Sequence, residues 1–491
     1  MLLSGKSLAW LLLPAVLATA FPAVPAHAGT AVPAHAGTAV PAHAGTAVPA
    51  HAGEPVVSDV AFTGDGGVPL RGKVIAPESA NGRSPGIVIV HGAGPVTWKE
   101  YRDEAEAYAR RGIVTLIYDK RTTGYSTFQR DYEALAGDAL AAVRILRARA
   151  DVNPKMVGIW GLSEGAWVAP IAAARSADVA FLVIAGAVGT TPPRQQAWAY
   201  GERLRHAGVH GSMTGMLQER AIRFGIGSGL FAQADYDPTR SWERVRQPVL
   251  ALWGTLDREA MPAESSQVIR QALDRGGNAH HTVRFLPGVR HNLNRTFDEG
   301  FDRPDSLPAD YAESEAAWIK SLADGPPPSS ADRPPSQDRL SRPVDGPFAW
   351  YESPRWQLAA FAIFLTASLG YPLAAIVRRL RGRRGAPPAA RPARWLVITV
   401  TATALGFLGY FCVLILTGAY VIGPVVLGRP VPWLVLQLLT GAAVVAAAAT
   451  ATSAWRHRRE LGRGGRVRLG LALASAVAFV PWAAYWGLLM P

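Results

Sequence analysis

The chain has 491 residues, of which 49% are hydrophobic, with a formal net charge of +13 and a single cysteine. This length allows about two to four domains, and one cysteine excludes both an intrachain disulfide framework and a thiolate metal cluster. The charge by itself would favour nucleic acid or an anionic membrane surface as the partner. However, residues 351–491 contain 15 arginines, no lysine and two acidic residues, so this segment carries the whole excess and residues 1–350 are formally neutral.

The N-terminus has the pattern of a secretory signal peptide, which we predict over residues 1–28. Lys6 precedes an apolar stretch, Leu8–Ala20, and small residues at Ala26 and Ala28 resemble a cleavage site. The stretch is short for a span of roughly 30 Å of hydrocarbon. An uncleaved N-terminal anchor is the alternative.

An octapeptide repeat follows, and we predict that residues 29–55 form a disordered spacer. The sequence Ala-Val-Pro-Ala-His-Ala-Gly-Thr begins at Ala23, Ala31 and Ala39 and recurs in shortened form at Ala47. Such a small, Pro-rich composition cannot bury a core. The regularly spaced histidines could capture a metal ion, but the spacer interpretation is favoured. Each repeat recreates the small-x-small pattern, so several cleavage positions remain open.

Residues 56–323 alternate between strand and helix signals, which predicts an α/β fold with a mostly parallel sheet and helices on both faces. Residues 190–246 are polar and mostly helical in pattern, and helical stretches also precede Arg111 and close the region at Ala309–Leu322. The predicted strands are Val56–Phe62, Leu70–Ile75, Gly86–His91, Ile113–Tyr118, Met156–Trp160, Val179–Ala185, Val249–Trp253 and Thr282–Leu286, and the other predicted helices are Tyr132–Arg149, Glu164–Arg175 and Pro262–Arg275.

A Pro-rich linker over residues 324–354 leads to a predicted four-helix transmembrane region, residues 355–491. Each of its four apolar runs is long enough for a membrane-spanning helix of about 20 residues. Their interiors contain no Asp, Glu, Lys, Arg or His, which disfavours an ion or proton pathway. The runs are Trp356–Val377, Trp395–Leu427, Trp433–Ala454 and Leu469–Leu489.

The arginines predict the orientation of these helices. They concentrate at residues 378–394 and 456–468, whereas only Arg429 lies between the second and third runs. The positive-inside rule places the two Arg-rich loops in the cytoplasm and residue 355 outside the cell membrane. A signal peptide would independently direct residues 29–355 outside. We therefore expect the lipid bilayer, through residues 356–489, to be the partner of the basic region, and no nucleic acid.

Residues 161–165 read Gly-Leu-Ser-Glu-Gly, between the predicted strand Met156–Trp160 and an apolar helix. This is the Gly-x-Ser-x-Gly nucleophile elbow in its strand–turn–helix context. The glycines Gly161 and Gly165 leave room for a tight turn, which would project the Ser163 hydroxyl above the sheet.

A serine nucleophile needs a base and an acid that orients the base. In the order Ser-acid-His, Asp257 follows the strand that ends at Trp253, and His291 follows the next strand. Both lie at carboxyl ends of strands, where ligand sites of open parallel sheets collect. Glu259 is a rival for the acid, and His280 and His281 are rivals for the base at the other end of their strand.

Backbone amides that bind an oxyanion complete such a site. The amide of Glu164, directly after the serine, is one expected donor. Residues 91–95 read His-Gly-Ala-Gly-Pro after a buried strand, so Ala93 is expected to supply the second amide. His91 is expected to shape this loop rather than to act as a base.

Residues 118–121 (Tyr-Asp-Lys-Arg) and 124–126 (Gly-Tyr-Ser) complete a resemblance to the α/β-hydrolases, in particular to their secreted esterase and serine-peptidase-like branch, over about residues 56–323. The resemblance implies that Ser163, Asp257 and His291 form the catalytic triad and that residues 190–246 form a cap over the site. It implies neither a metal ion nor an organic cofactor.

These observations predict a membrane-tethered extracytoplasmic serine hydrolase, with a carboxylesterase as the first choice and a small acyl ester or a peptide as substrate. An aminopeptidase or prolyl-type peptidase is the alternative, because Glu202 and Glu219 lie in the predicted cap and could bind an N-terminal amine. A membrane sensor or transporter with a ligand-binding hydrolase-like domain is the alternative from another class.

Overall fold

The computed structural model describes residues 53–78, 82–302, 307–308, 310–382 and 389–491. The predicted signal peptide, residues 1–28, and residues 29–52 of the predicted spacer lie outside the described residues.

One twisted sheet forms the centre of the hydrolase-like region. In the described part of the chain its nine strands are β1 (Val56–Thr63), β2 (Pro69–Ala76), β3 (Ser84–Val90), β4 (Val114–Tyr118), β5 (Val152–Leu162), β6 (Leu182–Ala185), β7 (Val249–Gly254), β8 (His281–Leu286) and β9 (Ser330–Ala331). Their order across the sheet is β1-β2-β4-β3-β5-β6-β7-β8-β9. Strand β2 pairs antiparallel with β1 and β4, and all other neighbouring pairs are parallel. The predicted α/β class with a mostly parallel sheet is confirmed, and the two predicted strands at its start pair with each other in antiparallel fashion.

Helices cover both faces of this sheet, which explains why its central strands are apolar throughout. In β3, Val88 and Val90 face a core that includes helices α2, α3 and α8, whereas Ile87 and Ile89 face a second core with α1 and α9. These helices are α1 (Arg102–Arg110), α2 (Tyr132–Arg147), α3 (Glu164–Arg175), α8 (Pro262–Arg275) and α9 (Glu313–Ser321).

Residues 190–246, named the cap from here on, are inserted between β6 and β7. The cap contains α4 (Pro192–His206), α5 (Ser212–Gly215), a π-helical segment (Met216–Ala221), α6 (Ile222–Gly227) and α7 (Thr239–Trp242).

The Pro-rich segment after α9 is extended but held against the domain. Ser330 and Ala331 form β9, which adds an edge strand to the sheet beside β8. Further along, the Ser341 amide donates to Glu264 of α8 (3.0 Å), and Arg194 of the cap donates to the Ser341 hydroxyl (2.5 Å). The Pro-rich linker therefore runs across the surface of the domain and is hydrogen-bonded to it.

Four long helices follow: α10 (Pro354–Leu380), α11 (Ala390–Leu416), α12 (Val431–Arg456) and α13 (Arg463–Tyr485). Each is long and apolar enough to cross a membrane. At about 1.5 Å per residue, all of them exceed the roughly 30 Å thickness of the hydrocarbon core. Large apolar side chains are exposed along them, including Leu373, Leu405 and Val477, as expected for surfaces that face lipid. The predicted C-terminal membrane region is confirmed.

The bounds of these helices correct two details of the prediction. The second apolar run was expected to extend to Leu427, but α11 ends at Leu416, because Gly418 and Ala419 take the left-handed conformation (φ 57° and 62°) and break the helix. A two-stranded hairpin of β10 (Val425–Val426) and β11 (Arg429–Pro430) follows. Several arginines of the two predicted loops lie instead in the terminal turns of the helices: Arg378, Arg379, Arg391, Arg394, Arg456, Arg463, Arg466 and Arg468.

The cap packs on one end of the membrane helices. Leu204 and Met213 of the cap share an apolar core with Phe407 of α11 and Trp433 of α12. The Arg203 guanidinium donates to the Gly418 carbonyl oxygen at 2.6 Å, directly beyond the end of α11. The cap therefore connects the sheet to the membrane region through buried apolar contacts.

Candidate active site

Ser163 occupies the turn between β5 and α3. Its backbone conformation is φ 55°, ψ −109°, which is strained for a residue with a Cβ. The flanking glycines are required sterically: a Cβ on Gly161 would lie 2.5 Å from the Gly165 carbonyl oxygen, and a Cβ on Gly165 would lie 2.2 Å from that of Val90. The turn thus has the strain and the close packing of a nucleophile elbow.

Asp257 and His291 lie beyond the carboxyl ends of β7 and β8 and are hydrogen-bonded to each other. The His291 Nδ1–H donates to Asp257 Oδ2 at 2.9 Å. Asp257 Oδ1 accepts the amides of Glu259 (2.8 Å) and Ala260 (2.9 Å), so the carboxylate is fixed on both oxygens. The side chain of Asp257 is fully buried and that of His291 is 15% exposed.

The electrostatics of this pair favour a charged imidazole. Burial disfavours protonation of His291, but the negative charge of Asp257, its hydrogen bond and the charge of Glu259 outweigh burial and raise the pKa of the imidazole above its ordinary value. A carboxylate that stabilises the imidazolium is what a general base requires after it has accepted a proton.

Ser163 and His291 are brought to neighbouring positions. The Ser163 amide donates to the Ala185 carbonyl oxygen (3.1 Å), and a Cβ on the next residue, Gly186, would lie 2.7 Å from His291 Nδ1. Among the described residues, His291 Nε2 is buried without a hydrogen-bond partner, and no hydrogen bond joins it to Ser163. Catalytic hydrogen bonds are often long without substrate and tighten in the substrate complex.

The rivals for the triad positions have other partners. Glu259 forms an ion pair with Arg203 at 3.1 Å. His280 contacts the Pro327 carbonyl oxygen (3.0 Å), and His281 contacts the Asn278 carbonyl oxygen at the other end of β8. His91 is fully buried, and burial followed by the charge of Lys120 lowers the pKa of its imidazole to about 3. It stays neutral and packs edge-on against two tyrosines of the core.

A buried charge cluster beside Ser163 was missed by the sequence reasoning. The side chain of Glu164 is 1% exposed and lies 2.6 Å from Lys120 Nζ and 3.0 Å from Arg130 Nη1. The Tyr125 hydroxyl donates to the same carboxylate at 2.8 Å. Segments 118–121 and 124–126, which carry the family resemblance, contain two of these partners, Lys120 and Tyr125.

This cluster fixes the loop that follows β3. Lys120 Nζ donates to the Gly92 carbonyl oxygen (2.5 Å), and the Gly94 amide donates to the Tyr125 hydroxyl (2.9 Å). The Gly92 amide donates to the Tyr101 hydroxyl (3.1 Å). A Cβ on Gly92 would lie only 3.8 Å from that of Ser163, so this loop borders the serine.

Replacing Glu164 by glutamine is expected to destabilise the domain by about 3–5 kcal/mol, because it leaves two cations without the buried carboxylate that balances them. Burial already lowers the pKa of Lys120, and the charge of Glu164 opposes this effect. Adding Lys120→Met to Glu164→Gln removes one of the two cations and should recover part of the loss. The measurement is the unfolding temperature of the protein in detergent micelles.

Glu106 provides the matched control, because it also lies between two arginines, Arg102 (2.8 Å) and Arg110 (2.7 Å), whose side chains are about half exposed. Glu106→Gln should cost no more than about 1 kcal/mol, since exposed pairs contribute little. Equal losses for Glu106→Gln and Glu164→Gln would contradict the role given to the buried cluster.

In the described part of the chain, no group of three or more His, Cys, Asp or Glu side chains is arranged to hold a metal ion.

Comparison with known proteins agrees with this architecture. The model of the prolyl oligopeptidase family matches residues 99–325. Esterase EstD of Thermotoga maritima is 35% identical over 127 residues, which are 24% of this chain and 30% of the esterase. Thiohydrolase aneE of Aspergillus aculeatus is 33% identical over 114 residues, 22% of this chain and 35% of that protein. The chain thus spans about a third of the length of these curated relatives.

Among solved structures, the acylaminoacyl peptidase of Pyrococcus horikoshii aligns with 15% identity and a TM-score of 0.40, covering 55% of this chain and 42% of the peptidase. Dienelactone hydrolase of Anabaena variabilis aligns with 18% identity and a TM-score of 0.35, and the alignment covers 55% of this chain and 98% of that hydrolase. The chain has an α/β-hydrolase fold in which residues 99–325 match the prolyl oligopeptidase family model, followed by four C-terminal helices that are each long and apolar enough to cross a membrane.

Proposed function

We propose that this protein is a membrane-tethered serine hydrolase that cleaves carboxylic esters outside the cytoplasm. The observation that carries the proposal is the strained Ser163 turn beside the partly buried His291–Asp257 hydrogen bond of 2.9 Å. A hydroxyl on such a turn, next to an imidazole whose Nε2 has no partner in the described structure, suits nucleophilic attack on an acyl carbon.

In the proposed reaction, Ser163 Oγ forms a bond to the acyl carbon while His291 Nε2 accepts its proton. The tetrahedral oxyanion would be bound by the amides of Ala93 and Glu164. The choice of Ala93 is supported by its neighbours, because the amides of Gly92 and Gly94 already donate to tyrosine hydroxyls. The proton then passes to the leaving alkoxide, and water attacks the acyl-enzyme by the same route to release the acid.

The proposed location outside the cytoplasm is supported by the arginines. The cap contacts the ends of the membrane helices near Gly418 and Met490, whereas the Arg-rich segments lie at the opposite ends of these helices. The positive-inside rule assigns the Arg-rich ends to the cytoplasm. The hydrolase domain would then lie on the outer surface.

A peptidase is the second candidate, and the match to the prolyl oligopeptidase family model favours it. The cap offers less support. Glu202, one of the two carboxylates expected to bind an N-terminal amine, is already paired with Arg205 and lies 3.7 Å from Arg258. Its charge is balanced without a substrate, so we place ester hydrolysis first.

The test is a substrate panel on the full-length protein in lipid nanodiscs: p-nitrophenyl acetate, the corresponding thioester and alanine p-nitroanilide, each corrected for the turnover of the Ser163→Ala variant. The proposal expects kcat/KM for the ester to exceed that for the anilide by at least about 100-fold, a difference of about 2.7 kcal/mol in transition-state stabilisation. An anilide that is cleaved as fast as the ester would favour the peptidase, and no corrected turnover of any substrate would overturn the hydrolase proposal.

A further inference from the structure

A cavity of about 210 Å³ lies where the hydrolase domain, the cap and a membrane helix meet. Trp167 of α3 contributes to its wall from the hydrolase domain, Tyr200 and Phe224 from the cap, and Phe411 and Ile415 from α11. Aromatic and aliphatic side chains dominate this lining, which suits an apolar ligand. Phe128, which is also part of the wall, is 36% exposed, so the cavity reaches the protein surface.

Two residues of the cavity wall, Trp167 and Arg130, connect it to the surroundings of the proposed nucleophile. Trp167 is four residues after Ser163 at the start of the same helix, a rise of about 6 Å along its axis. Arg130 also lines the cavity, and its guanidinium pairs at 3.0 Å with Glu164, the residue directly after the serine. A chain that begins at a carbonyl on Ser163 would therefore need to cross about one helical turn to enter the cavity.

In the proposed orientation, the end of the cavity that α11 lines lies within the span of the bilayer. A helix needs about 20 residues to cross the hydrocarbon core. Counted from Trp395 as the inner boundary of this core, the outer boundary lies at Ile415 of α11. Phe411 then lies about 6 Å below the outer boundary. The Trp486 ring, at the end of α13, is 5.6 Å from that of Phe411 and 5.8 Å from that of Phe224 in the cap. The cap thus closes over a part of the cavity that membrane helices form.

We infer that this cavity binds the acyl chain of an ester lipid that enters from the outer leaflet of the membrane. The inference rests on the proposed function and names its substrate class. Helix α11 lines this apolar cavity within the span of the bilayer. Molecules that are already dissolved in the bilayer therefore have the shortest route into it. In the reaction, the bond between the lipid acyl carbon and its alcohol oxygen breaks, Ser163 Oγ takes the acyl group, and the alcohol leaves with the proton from His291. Water then releases the fatty acid.

The experiment uses the full-length protein in phosphatidylcholine nanodiscs and p-nitrophenyl esters that share one leaving group. Acetate, butyrate and octanoate are supplied in water, and palmitate is supplied dissolved in the bilayer. The inference expects kcat/KM to rise from acetate to octanoate by up to about fourfold per methylene, the ratio that burial of one methylene gives. It also expects the bilayer-dissolved palmitate to be hydrolysed. Equal rates for the three soluble esters, or no hydrolysis of palmitate while octanoate is cleaved, would overturn it.

Two substitutions on α11 make the test specific for the cavity. Ile415→Trp fills it and should lower the octanoate-to-acetate ratio of kcat/KM by about tenfold. Leu405→Trp, at a position that is 54% exposed to lipid on the same helix, should leave this ratio unchanged. A ratio that is unaffected by Ile415→Trp would contradict the inference.

Labelling by a small fluorophosphonate shows whether a variant is folded. If Ile415→Trp does not label, the milder Ile415→Phe replaces it. A smaller loss of the octanoate-to-acetate ratio of kcat/KM is expected for Ile415→Phe. If the unsubstituted protein neither labels nor hydrolyses acetate, the proposed function fails, and the inference fails with it. If it does both without chain-length preference, only the inference fails.

Discussion

Replacing Ser163 by alanine is expected to lower kcat for ester hydrolysis by about 10⁵- to 10⁶-fold, the size of effect seen when a nucleophile of a triad is removed. Without the Oγ atom no acyl-enzyme forms, and only the oxyanion donors and substrate binding remain. The residual acceleration over water should then be about 10³- to 10⁴-fold. The measurement is kcat for p-nitrophenyl acetate with the full-length protein in nanodiscs.

The substitution should have little effect on folding, because alanine meets the same backbone strain at φ 55° and the serine side chain makes no capping hydrogen bond to α3. Ser176→Ala, at the other end of α3, is the matched control and should retain normal turnover. A Ser163→Ala protein within tenfold of the unsubstituted one would show that another group performs the reaction.

Replacing Asp257 by asparagine is the second large change, with an expected loss of about 10⁴-fold in kcat. Asparagine can still fill the site, but it neither holds the imidazole in the required tautomer nor stabilises its positive charge. Because the Nε2 atom of His291 is buried and lacks a partner in the described structure, the orientation of the imidazole depends on the 2.9 Å hydrogen bond from Nδ1 to Asp257.

The same substitution should change the pH profile, and its sign follows from the pKa of His291. A general base acts when neutral, so kcat/KM rises as the pH increases through this pKa. In the unsubstituted protein the acid limb should lie above the ordinary histidine value of 6.5, because Asp257 and Glu259 outweigh the effect of burial. In Asp257→Asn burial remains and most of the opposing charge is lost, so the acid limb should move to lower pH while the plateau falls.

Asp274→Asn is the control for this measurement, since Asp274 is an exposed carboxylate 3.6 Å from another histidine, His281. Its profile should match that of the unsubstituted protein. If the acid limb of the pH profile does not move in Asp257→Asn, His291 is not the general base.

The sequence allowed the sheet and the candidate triad to be predicted because both depend on local pattern. Apolar runs buried on two faces identify parallel strands such as β3, and chemistry-bearing residues after β5, β7 and β8 must meet at one edge of the sheet. The hydrogen bond between Asp257 and His291 agrees with this logic. The sequence pattern thus predicts at which end of a strand a residue lies.

The buried cluster around Glu164 could not be predicted in the same way. Lys120, Tyr125 and Arg130 are charged or polar residues in a loop, and nothing local indicates that they converge on a carboxylate 34 to 44 residues further along the chain. Its existence depends on the close approach of the loop after β4 to the start of α3. Long-range contacts of this kind follow from the assembled fold, not from periodicity.

Hydropathy likewise located the four membrane helices but not the end of α11. Residues 417–427 are apolar enough to continue the run, yet Gly418 and Ala419 adopt positive φ values and the chain turns into a hairpin. The contact between Arg203 and the Gly418 carbonyl oxygen then fastens the cap to this turn. An apolar run indicates that a segment can lie in lipid, but it does not indicate where the helix ends. Backbone conformation and tertiary contacts determine that end.

Locating a covalent adduct shows whether Ser163 is the nucleophile of a serine hydrolase. The protein is treated with a fluorophosphonate and digested with trypsin, which should release residues 156–175 as one peptide, since Lys155 and Arg175 flank it without another Lys or Arg between them. Ser163 is the only hydroxyl-bearing residue in this peptide. We expect one phosphonylated peptide, 156–175, modified at Ser163 and absent after treatment of the Asp257→Asn protein for the same short time. An adduct on any other peptide, or none on 156–175, would contradict it.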